Sequence, residues 1–217
     1  MNMDNKSEIS TKVETPQEYR KKILASLLEA HHATFFTIIS VIQATCFGFL
    51  ASGCLEHGQH YDVYDWLLAI NTLILIVLVW NSFIRGFVVL SYVPKMFDGV
   101  MPFALGSAQC FAAYFVGHSV RGWYWSVAAL NFIGFIGYIN ARLNKEHNVH
   151  VIGFYLHHLR IVQVSCLLLI TICGGIAEFA LWPREILTIL SFAVTIGYAA
   201  GDEILWLRLD RFARTSD

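Results

Sequence analysis

The residues best suited to chemistry in this sequence are ionisable and amide side chains that fall inside long apolar runs. They are Arg85, Asp98, Glu178, Asp202, Glu203, Asn71 and Asn81. A charge at the centre of a lipid-embedded helix costs about 2.5–3.5 kcal/mol on insertion scales, so it is tolerated only beside a partner or water. These side chains are therefore predicted to face one another or a polar path, where they could pair, coordinate an ion or bind a solute.

Arg85 is predicted to be neutralised by a carboxylate on another helix. It lies about 28 Å along the second apolar run, at 1.5 Å per helical residue. Asp202 and Glu203 lie about 24–26 Å beyond Ile186, at a similar depth on another helix. A contact between Arg85 and one of these acids is predicted, with Asp98 as the alternative partner. A structural ion pair, an arginine reaching the headgroups and a gate in a transport path are all compatible with that pattern.

Glu178 and the two asparagines are the remaining candidates for a polar interior. Glu178 follows two glycines near the end of the fifth apolar run, where it is either a proton-coupling group or a carboxylate that meets water at the interface. Asn71 and Asn81 lie on the second run, where polar side chains indicate the helix face that turns away from lipid.

Enzyme motifs are missing from the sequence, which contains no GxSxG, HExxH, Walker or GxGxxG pattern. The nine histidines cluster only at the ends of apolar runs. The loop 56–65 could in principle hold a divalent cation through its histidines and carboxylates, but a solvated acidic loop is the favoured interpretation, and no haem ligand pair lies on facing helices. The sequence therefore predicts no cofactor and no metal and favours a protein that is not an enzyme. A lipid-modifying enzyme that uses Asp98, Asp202 and Glu203 stays open as an alternative.

Composition excludes an ordinary soluble domain. Of 217 residues, 56% are hydrophobic and 14% are charged, whereas globular domains average about 25% charged residues. The formal net charge of −1 leaves no concentrated basic surface. Since binding to nucleic acid depends on such a surface, nucleic acid is excluded as a partner.

Apolar runs long enough to cross a bilayer recur along the chain. A crossing helix needs about 20 residues at 1.5 Å each to span a hydrocarbon core of about 30 Å. The predicted spans are residues 33–55, 66–93, 99–117, 123–141, 151–182 and 186–207. Because the links between them are short, we predict an all-α integral membrane protein, a six-transmembrane helix bundle with 33–207 as its membrane domain.

The distribution of positive charge predicts the orientation of these spans. With the N-terminus inside, thirteen Lys and Arg residues fall on the inner side and only Arg121 and Arg184 on the outer side. Positive residues accumulate on cytoplasmic flanks, so both termini are predicted to be cytoplasmic, in a plasma or inner membrane. Residues 1–14 are predicted to be a disordered tail, and 208–217 a cytoplasmic tail.

A helix is predicted to start before the first span. Thr15 is suited to the N-cap and Pro16 to the first helical position. Residues 15–32 carry an apolar face beside the basic residues Arg20 and Lys22, which is typical of an amphipathic juxtamembrane helix at the membrane interface. The alternative is a cytosolic extension of the first span that does not touch lipid.

Tryptophans near predicted span ends indicate an interfacial aromatic belt. They are Trp66, Trp123, Trp125, Trp182 and Trp206, and the tyrosines Tyr61, Tyr64 and Tyr124 join them. The five cysteines show no CxxC spacing and are predicted to pack as small residues rather than to form disulfides.

Polar residues on every predicted span favour a channel or a small-solute or ion transporter, because its interior must hydrate a passing species. The first alternative is a non-catalytic sensor, effector or assembly partner, and the second is the lipid-modifying enzyme. Expected partners are the lipid bilayer, a homo-oligomer packed on Gly134 and Gly137, and a cytoplasmic protein that contacts the basic residues Arg20, Lys21 and Lys22. A polar central path would favour transport, and a tightly packed interior would favour the partner role.

Overall fold

The computed structural model describes residues 15–90, 96–143, 161, 164–166, 168–177, 179 and 182–214. The helices are α1 (Pro16–His57), α2 (Val63–Leu90), α3 (Met96–Phe115), α4 (Val120–Leu143) and α5 (Arg184–Arg214). A 3-10 turn at Gly58–His60 links α1 to α2, and a further helical stretch covers 168–177. The described residues contain no strand, so the predicted all-α class is confirmed. The tail 1–14, Glu178 and the side chain of Asp98 lie outside the described residues.

Three segments of the described chain are long and apolar enough to cross a membrane. They are Ala33–His60, Val63–Arg85 and Arg184–Arg208, with mean hydropathies of 1.8, 2.3 and 1.2. Because soluble helices rarely sustain such hydropathy over this length, the segments indicate a membrane protein.

Helix α1 begins as predicted but continues further than predicted. The backbone N–H of Glu18 donates to Thr15 Oγ1 at 3.3 Å, and the backbone N–H of Thr15 donates to Glu18 Oε2 at 2.9 Å. This capping box confirms Thr15 as the N-cap. The helix then runs without a break to His57, joining residues 15–32 and 33–55 that the sequence analysis separated. Residues 17–47 contain no proline or glycine that could interrupt it.

Glycines allow close approach between neighbouring helices. A Cβ on Gly106 of α3 would overlap Ile42 Cγ2 of α1, and a Cβ on Gly137 of α4 would lie 2.9 Å from Met101 Cε of α3. Gly137 therefore packs within the chain, so the pair suggested for a homo-oligomer has one member already covered. Gly117 has φ +74° in the turn between α3 and α4, a conformation that favours glycine.

Two helix pairs run in parallel directions. Helices α2 and α5 meet through Asp65 and Arg184 near their first turns and through Arg85 and Asp202 further along both chains. Helices α1 and α3 are also parallel. Cys46 of α1 contacts Gly106 of α3 in the middle of both helices. Further along both chain segments, the rings of His57 and His118 lie 5.5 Å apart. Since α2 ends near Arg85 and α5 begins at Arg184, the chain between these two helices must cross back to the Arg184 end of the bundle.

The main buried cluster draws side chains from all five helices and from 168–177, and Trp123 and Tyr124 are its largest members. Both side chains are fully buried, which corrects the prediction that Trp123 and Tyr124 belong to an aromatic belt. Trp123 Nε1 donates to Thr72 Oγ1 at 2.8 Å, and the Tyr124 hydroxyl donates to the Leu187 carbonyl at 2.5 Å. The indole N–H of Trp123 and the hydroxyl of Tyr124 thus each have a buried hydrogen-bond partner, so neither ring needs to lie at the membrane–water interface to satisfy its polar group. The other tryptophans of the predicted belt, Trp66, Trp125, Trp182 and Trp206, are exposed or half-buried.

Candidate functional site

Polar side chains line the contact between α2 and α5, and we call this set the polar seam. On α2 they are Asp65, Asn71, Asn81 and Arg85, and on α5 they are Arg184, Thr188, Ser191, Thr195, Asp202 and Glu203. Residues 188, 191, 195 and 202 recur at helical spacing, so they share one face of α5. Apolar side chains occupy the other faces of both helices, which turns the polar residues toward each other.

The Arg85 end of the seam is an ion-pair cluster. Arg85 Nη1 lies 2.6 Å from Asp202 Oδ2, and Nη2 pairs with Glu203 Oε2. Arg85 and Asp202 are buried, whereas the Glu203 side chain is 56% exposed. The Arg85 guanidinium therefore pairs with two carboxylates. The Asp202 carboxylate is buried, and the Glu203 carboxylate lies at the surface of the bundle.

Every N–H of the Arg85 guanidinium has an acceptor. Nη1 also donates to the Asp202 carbonyl at 3.4 Å, and the Asn81 amide oxygen accepts from Nε at 3.2 Å and from Nη2 at 3.0 Å. The guanidinium carbon lies 5.0 Å from the centre of the Trp206 ring, within the range of a cation–π contact. Hydrogen-bond acceptors satisfy the N–H groups of Arg85 and the Trp206 ring covers one face of the guanidinium, which explains how a buried cation is tolerated here.

The Arg184 end of the seam is a second ion-pair cluster. Arg184 Nη1 lies 3.2 Å from Asp62 Oδ2, and Nη2 pairs with the buried carboxylate of Asp65. Asp62 also caps α2, since its Oδ1 accepts from the N–H of Tyr64 at 2.8 Å and of Asp65 at 2.9 Å. The hydrogen bond from the Asp65 backbone, with the nearby Arg184 charge, lowers the pKa of Asp62 below its ordinary value.

Between the two clusters the seam carries uncharged polar groups. Asn71 is fully buried, and its Nδ2 donates to Ser191 Oγ at 3.1 Å, while Ser191 donates to the Thr188 carbonyl at 2.7 Å. The next residue, Thr72, contacts α4 instead of α5: it accepts from Trp123 and donates to the Leu68 carbonyl at 2.8 Å. Two buried oxygens, Asn71 Oδ1 and Thr188 Oγ1, have no hydrogen-bond partner.

The length of the seam matches the thickness of a bilayer. Asp65 and Arg85 are separated by about 30 Å of helix at 1.5 Å per residue, close to the thickness of the hydrocarbon core. The two charged clusters are thus separated along α2 by about the thickness of that core. Asn71 lies about 9 Å of helix from Asp65 and Thr188 about 6 Å of helix from Arg184, so both residues with unpartnered oxygens are closer to the Arg184 end than to the Arg85 end.

A pocket of about 350 Å³ opens at the Arg184 end, and we call it the end pocket. Its charged lining residues are Asp65, Arg121 and Arg184, with His118 and Ser119 beside them. Its apolar wall consists of Leu68, Val120, Ala177, Trp182 and Leu187. Leu68 and Leu187 separate this pocket from Asn71 and Ser191, which lie about one turn deeper on the same two helices.

A smaller polar contact joins α1 to α3. Gln43 Nε2 donates to Gln109 Oε1 at 3.1 Å, and both side chains are buried. Gln43 Oε1 and Gln109 Nε2 have no partner. Nearby, Cys46 Sγ lies 3.6 Å from Cys110 Sγ, and all five cysteines are free thiols.

The structure brings five of the seven candidate residues into the seam, namely Asn71, Asn81, Arg85, Asp202 and Glu203. Glu178 and the Asp98 side chain lie outside the described residues. The sequence analysis missed Asp65, Arg184 and Thr188, as well as the Gln43–Gln109 pair. Gln43 was visible as a lone amide inside an apolar run, whereas Asp65 and Arg184 lie at run ends, where charges are ordinary.

No group of three or more His, Cys, Asp or Glu side chains within the described residues is placed to hold a metal ion. No protein-family model, curated protein or solved structure matches this chain. The case for a function therefore depends on the geometry of the seam and of the end pocket.

Proposed function

We propose that this protein is a small-solute or ion transporter whose path follows the polar seam between α2 and α5. The observation that carries the proposal is the pair of unpartnered buried oxygens, Asn71 Oδ1 and Thr188 Oγ1, which lie between two ion-pair clusters. A buried polar atom without a partner costs about 1–3 kcal/mol. A passing ion, solute or water that binds these oxygens would remove that cost.

The two clusters are suited to act as gates. Each joins α2 to α5 across the seam, so a solute can pass only if Arg85 or Arg184 leaves its carboxylates. Buried ion pairs add little net stability compared with apolar packing, which argues for a role beyond holding the helices together. Opening one pair while the other stays closed would expose the two unpartnered oxygens to one side at a time, as transport requires.

We further propose six membrane crossings with both termini in the cytoplasm of a plasma or inner membrane. The parallel directions of α2 and α5 support this topology, because the chain must cross an odd number of times between them. The excess of positive residues on the inner flanks supports the orientation. In this topology the end pocket faces the outside and the Arg85 cluster lies at the cytoplasmic boundary.

Solute flux into liposomes that contain the purified chain tests the transport proposal. Wild-type protein should accelerate the uptake of an ion or small solute, and Arg85→Ala should abolish that acceleration. Arg208→Ala, which removes an exposed arginine from α5, is the matched control and should keep it. Absence of flux for protons, alkali ions, halides and small carboxylates would refute the proposal and favour the partner role.

Thiol labelling in right-side-out vesicles tests the topology. Gln59→Cys, in the exposed turn between α1 and α2, should react with a membrane-impermeant maleimide added outside. Gln17→Cys, exposed at the start of α1, should react only after the vesicles are opened. The wild-type chain reports the background from native cysteines, and the reverse labelling pattern would invert the orientation.

A further inference from the structure

We infer that side-chain oxygens of Asn71, Thr188 and Ser191 bind a monovalent metal cation, Na⁺ or K⁺. We call these three residues the oxygen site. The inference rests on the proposed function, since it names the class of solute that the seam would carry. It is supported by the chemistry of the unpartnered atoms, which are both oxygens, and by the excess of carboxylates over arginines at the ends of the seam.

The hydrogen bonds of Ser191 fix the orientation of the Asn71 amide. A serine hydroxyl has one proton, and Ser191 donates it to the Thr188 carbonyl at 2.7 Å. Toward Asn71 this hydroxyl can therefore only accept, and Asn71 Nδ2 donates to it at 3.1 Å. The amide oxygen is left over, buried and without a partner. An acceptor in this position attracts a cation or a hydrogen-bond donor and repels an anion.

Thr188 differs from other threonines of the bundle in the use of its hydroxyl. Thr37, Thr45 and Thr72 each donate to the backbone carbonyl four residues earlier, which satisfies a hydroxyl within its own helix. The Thr188 hydroxyl makes no such bond, although its side chain is fully buried. Thr188 and Ser191 are three residues apart and share one face of α5. With the lone pair left on Ser191 Oγ, the oxygen site offers one amide and two hydroxyl oxygens.

The charged groups at the ends of the seam favour a cation over an anion. Arg85 and Arg184 each pair with two carboxylates, one buried and one about half exposed. Arg121, which lines the end pocket, has an interaction of its own. Among the described residues these ends thus hold four carboxylates and three guanidinium groups, and an anion would meet no free guanidinium. The half-exposed carboxylates, Asp62 and Glu203, lie at opposite ends, where acidic side chains attract cations into a path.

The neutral ligands of the oxygen site limit the charge of the cation. Proteins bind Ca²⁺ and Mg²⁺ with carboxylates, whereas the nearest carboxylate of α2, Asp65, lies about 9 Å of helix from Asn71. No group of three or more His, Cys, Asp or Glu side chains in the described part of the chain could hold a metal ion instead. Neutral oxygens do replace the hydration shell of a monovalent cation, as backbone carbonyls do in potassium-selective filters. A monovalent cation therefore fits the ligands of the seam.

Equilibrium binding of radioactive sodium and rubidium ions to the purified full chain in detergent tests this inference, with rubidium as the tracer for potassium. In choline chloride buffer of constant ionic strength, wild-type protein should bind at least one of the two ions saturably. Thr188→Val removes a ligand oxygen and should weaken that binding about tenfold, because an interaction with a charged ligand is lost. Thr188→Ser keeps the hydroxyl and should bind like wild type.

Thr72→Val is the matched control, because its hydroxyl contacts Trp123 of α4 instead of the seam. It should keep the wild-type affinity for the cation. The thermal midpoint of Thr188→Val should be at or above that of wild type, so that a loss of binding is not a loss of fold. Equal affinity in wild type and Thr188→Val would overturn the inference, as would the absence of saturable binding.

Competing ions test the charge of the ligand. Replacing chloride with gluconate at constant sodium concentration should leave tracer binding unchanged, since no anion takes part. Calcium chloride at the same ionic strength should not displace the tracer, because the oxygen site has no carboxylate. Displacement by calcium at micromolar concentration, or binding that follows the anion, would overturn the inference.

Binding and flux separate this inference from the proposed function. Saturable cation binding without any flux would keep the oxygen site as a cation site and refute transport. Flux of an anion or an uncharged solute, without measurable cation binding, would support transport and overturn the ligand class. Cation binding that is accompanied by flux of the same cation supports both.

Discussion

Arg85 Nη1 lies 2.6 Å from Asp202 Oδ2, although 117 residues separate them in the chain. The contact joins α2 and α5 at the same end of both helices. It leaves the guanidinium with an acceptor for every N–H and with a tryptophan ring on one face. A cation satisfied in this way is stable in the closed seam, and it must exchange these acceptors if the seam opens.

Replacing Arg85 should destabilise the protein more than removing the whole pair. Arg85→Ala leaves Asp202 buried without its cation, which costs about 3–5 kcal/mol, whereas Arg85→Met with Asp202→Leu should cost much less. The free energy of unfolding in detergent measures both effects. If the double variant is as unstable as Arg85→Ala, the pair contributes to stability by itself and the gating argument loses its basis.

Thr188→Val should stabilise the fold and impair transport. The variant removes a buried hydroxyl that has no partner, so the free energy of unfolding should rise by about 1 kcal/mol. Flux should fall, because the proposed path would lose one of its two unpartnered oxygens. The thermal midpoint measures the change in stability, and the rate of solute uptake into liposomes measures the change in transport.

Thr72→Val is the matched control for that experiment. The Thr72 hydroxyl accepts from Trp123, so its removal leaves a buried indole N–H unpaired and should cost about 1–3 kcal/mol. If both threonine variants lower the thermal midpoint equally, Thr188 has a structural partner and its hydroxyl is not available to a solute.

Trp123→Phe should be strongly destabilising, with a loss of about 2–3 kcal/mol. The phenyl ring leaves part of a fully buried site empty and removes the hydrogen bond to Thr72. Trp80→Phe provides the comparison, since Trp80 is 42% exposed and should tolerate the change. Equal thermal midpoints for the two variants would place Trp123 at the membrane interface rather than in the core.

Asp62 should make the Arg184 end sensitive to acid. Its pKa is lowered in the folded state by hydrogen bonds to its carboxylate, first from the Asp65 backbone, and by the Arg184 charge. A carboxylate with a lowered pKa stabilises the fold above its unfolded pKa of about 3.9, and that contribution is lost as the pH falls toward the folded pKa. The thermal midpoint of wild type should therefore drop as the pH falls below about 4.

Asp62→Asn isolates that contribution. The amide oxygen can still cap α2, but the residue no longer ionises or pairs electrostatically with Arg184. The variant should be slightly less stable than wild type at neutral pH, and the difference should shrink below about pH 4. An acid-induced drop of the same size in both proteins would assign the titration to another carboxylate.

The sequence by itself determined features that depend on local chemistry. Long apolar runs predicted the helices, Thr15 and Pro16 predicted the start of α1, and helical rise placed Arg85 at the depth of Asp202 and Glu203. These succeed because capping, helical rise and the cost of a charge in lipid act within one segment. Each needs only the spacing of residues along the chain.

Tertiary structure decided how each helix is rotated and which helix it meets. A tryptophan near a span end suits the membrane interface and the core equally, and only packing against α2 put Trp123 inside. Asp65 and Arg184 look like ordinary boundary charges until the parallel arrangement of α2 and α5 brings them together. Because lipid and protein interior are both apolar, hydrophobicity alone cannot select the buried face, and side-chain packing must do so.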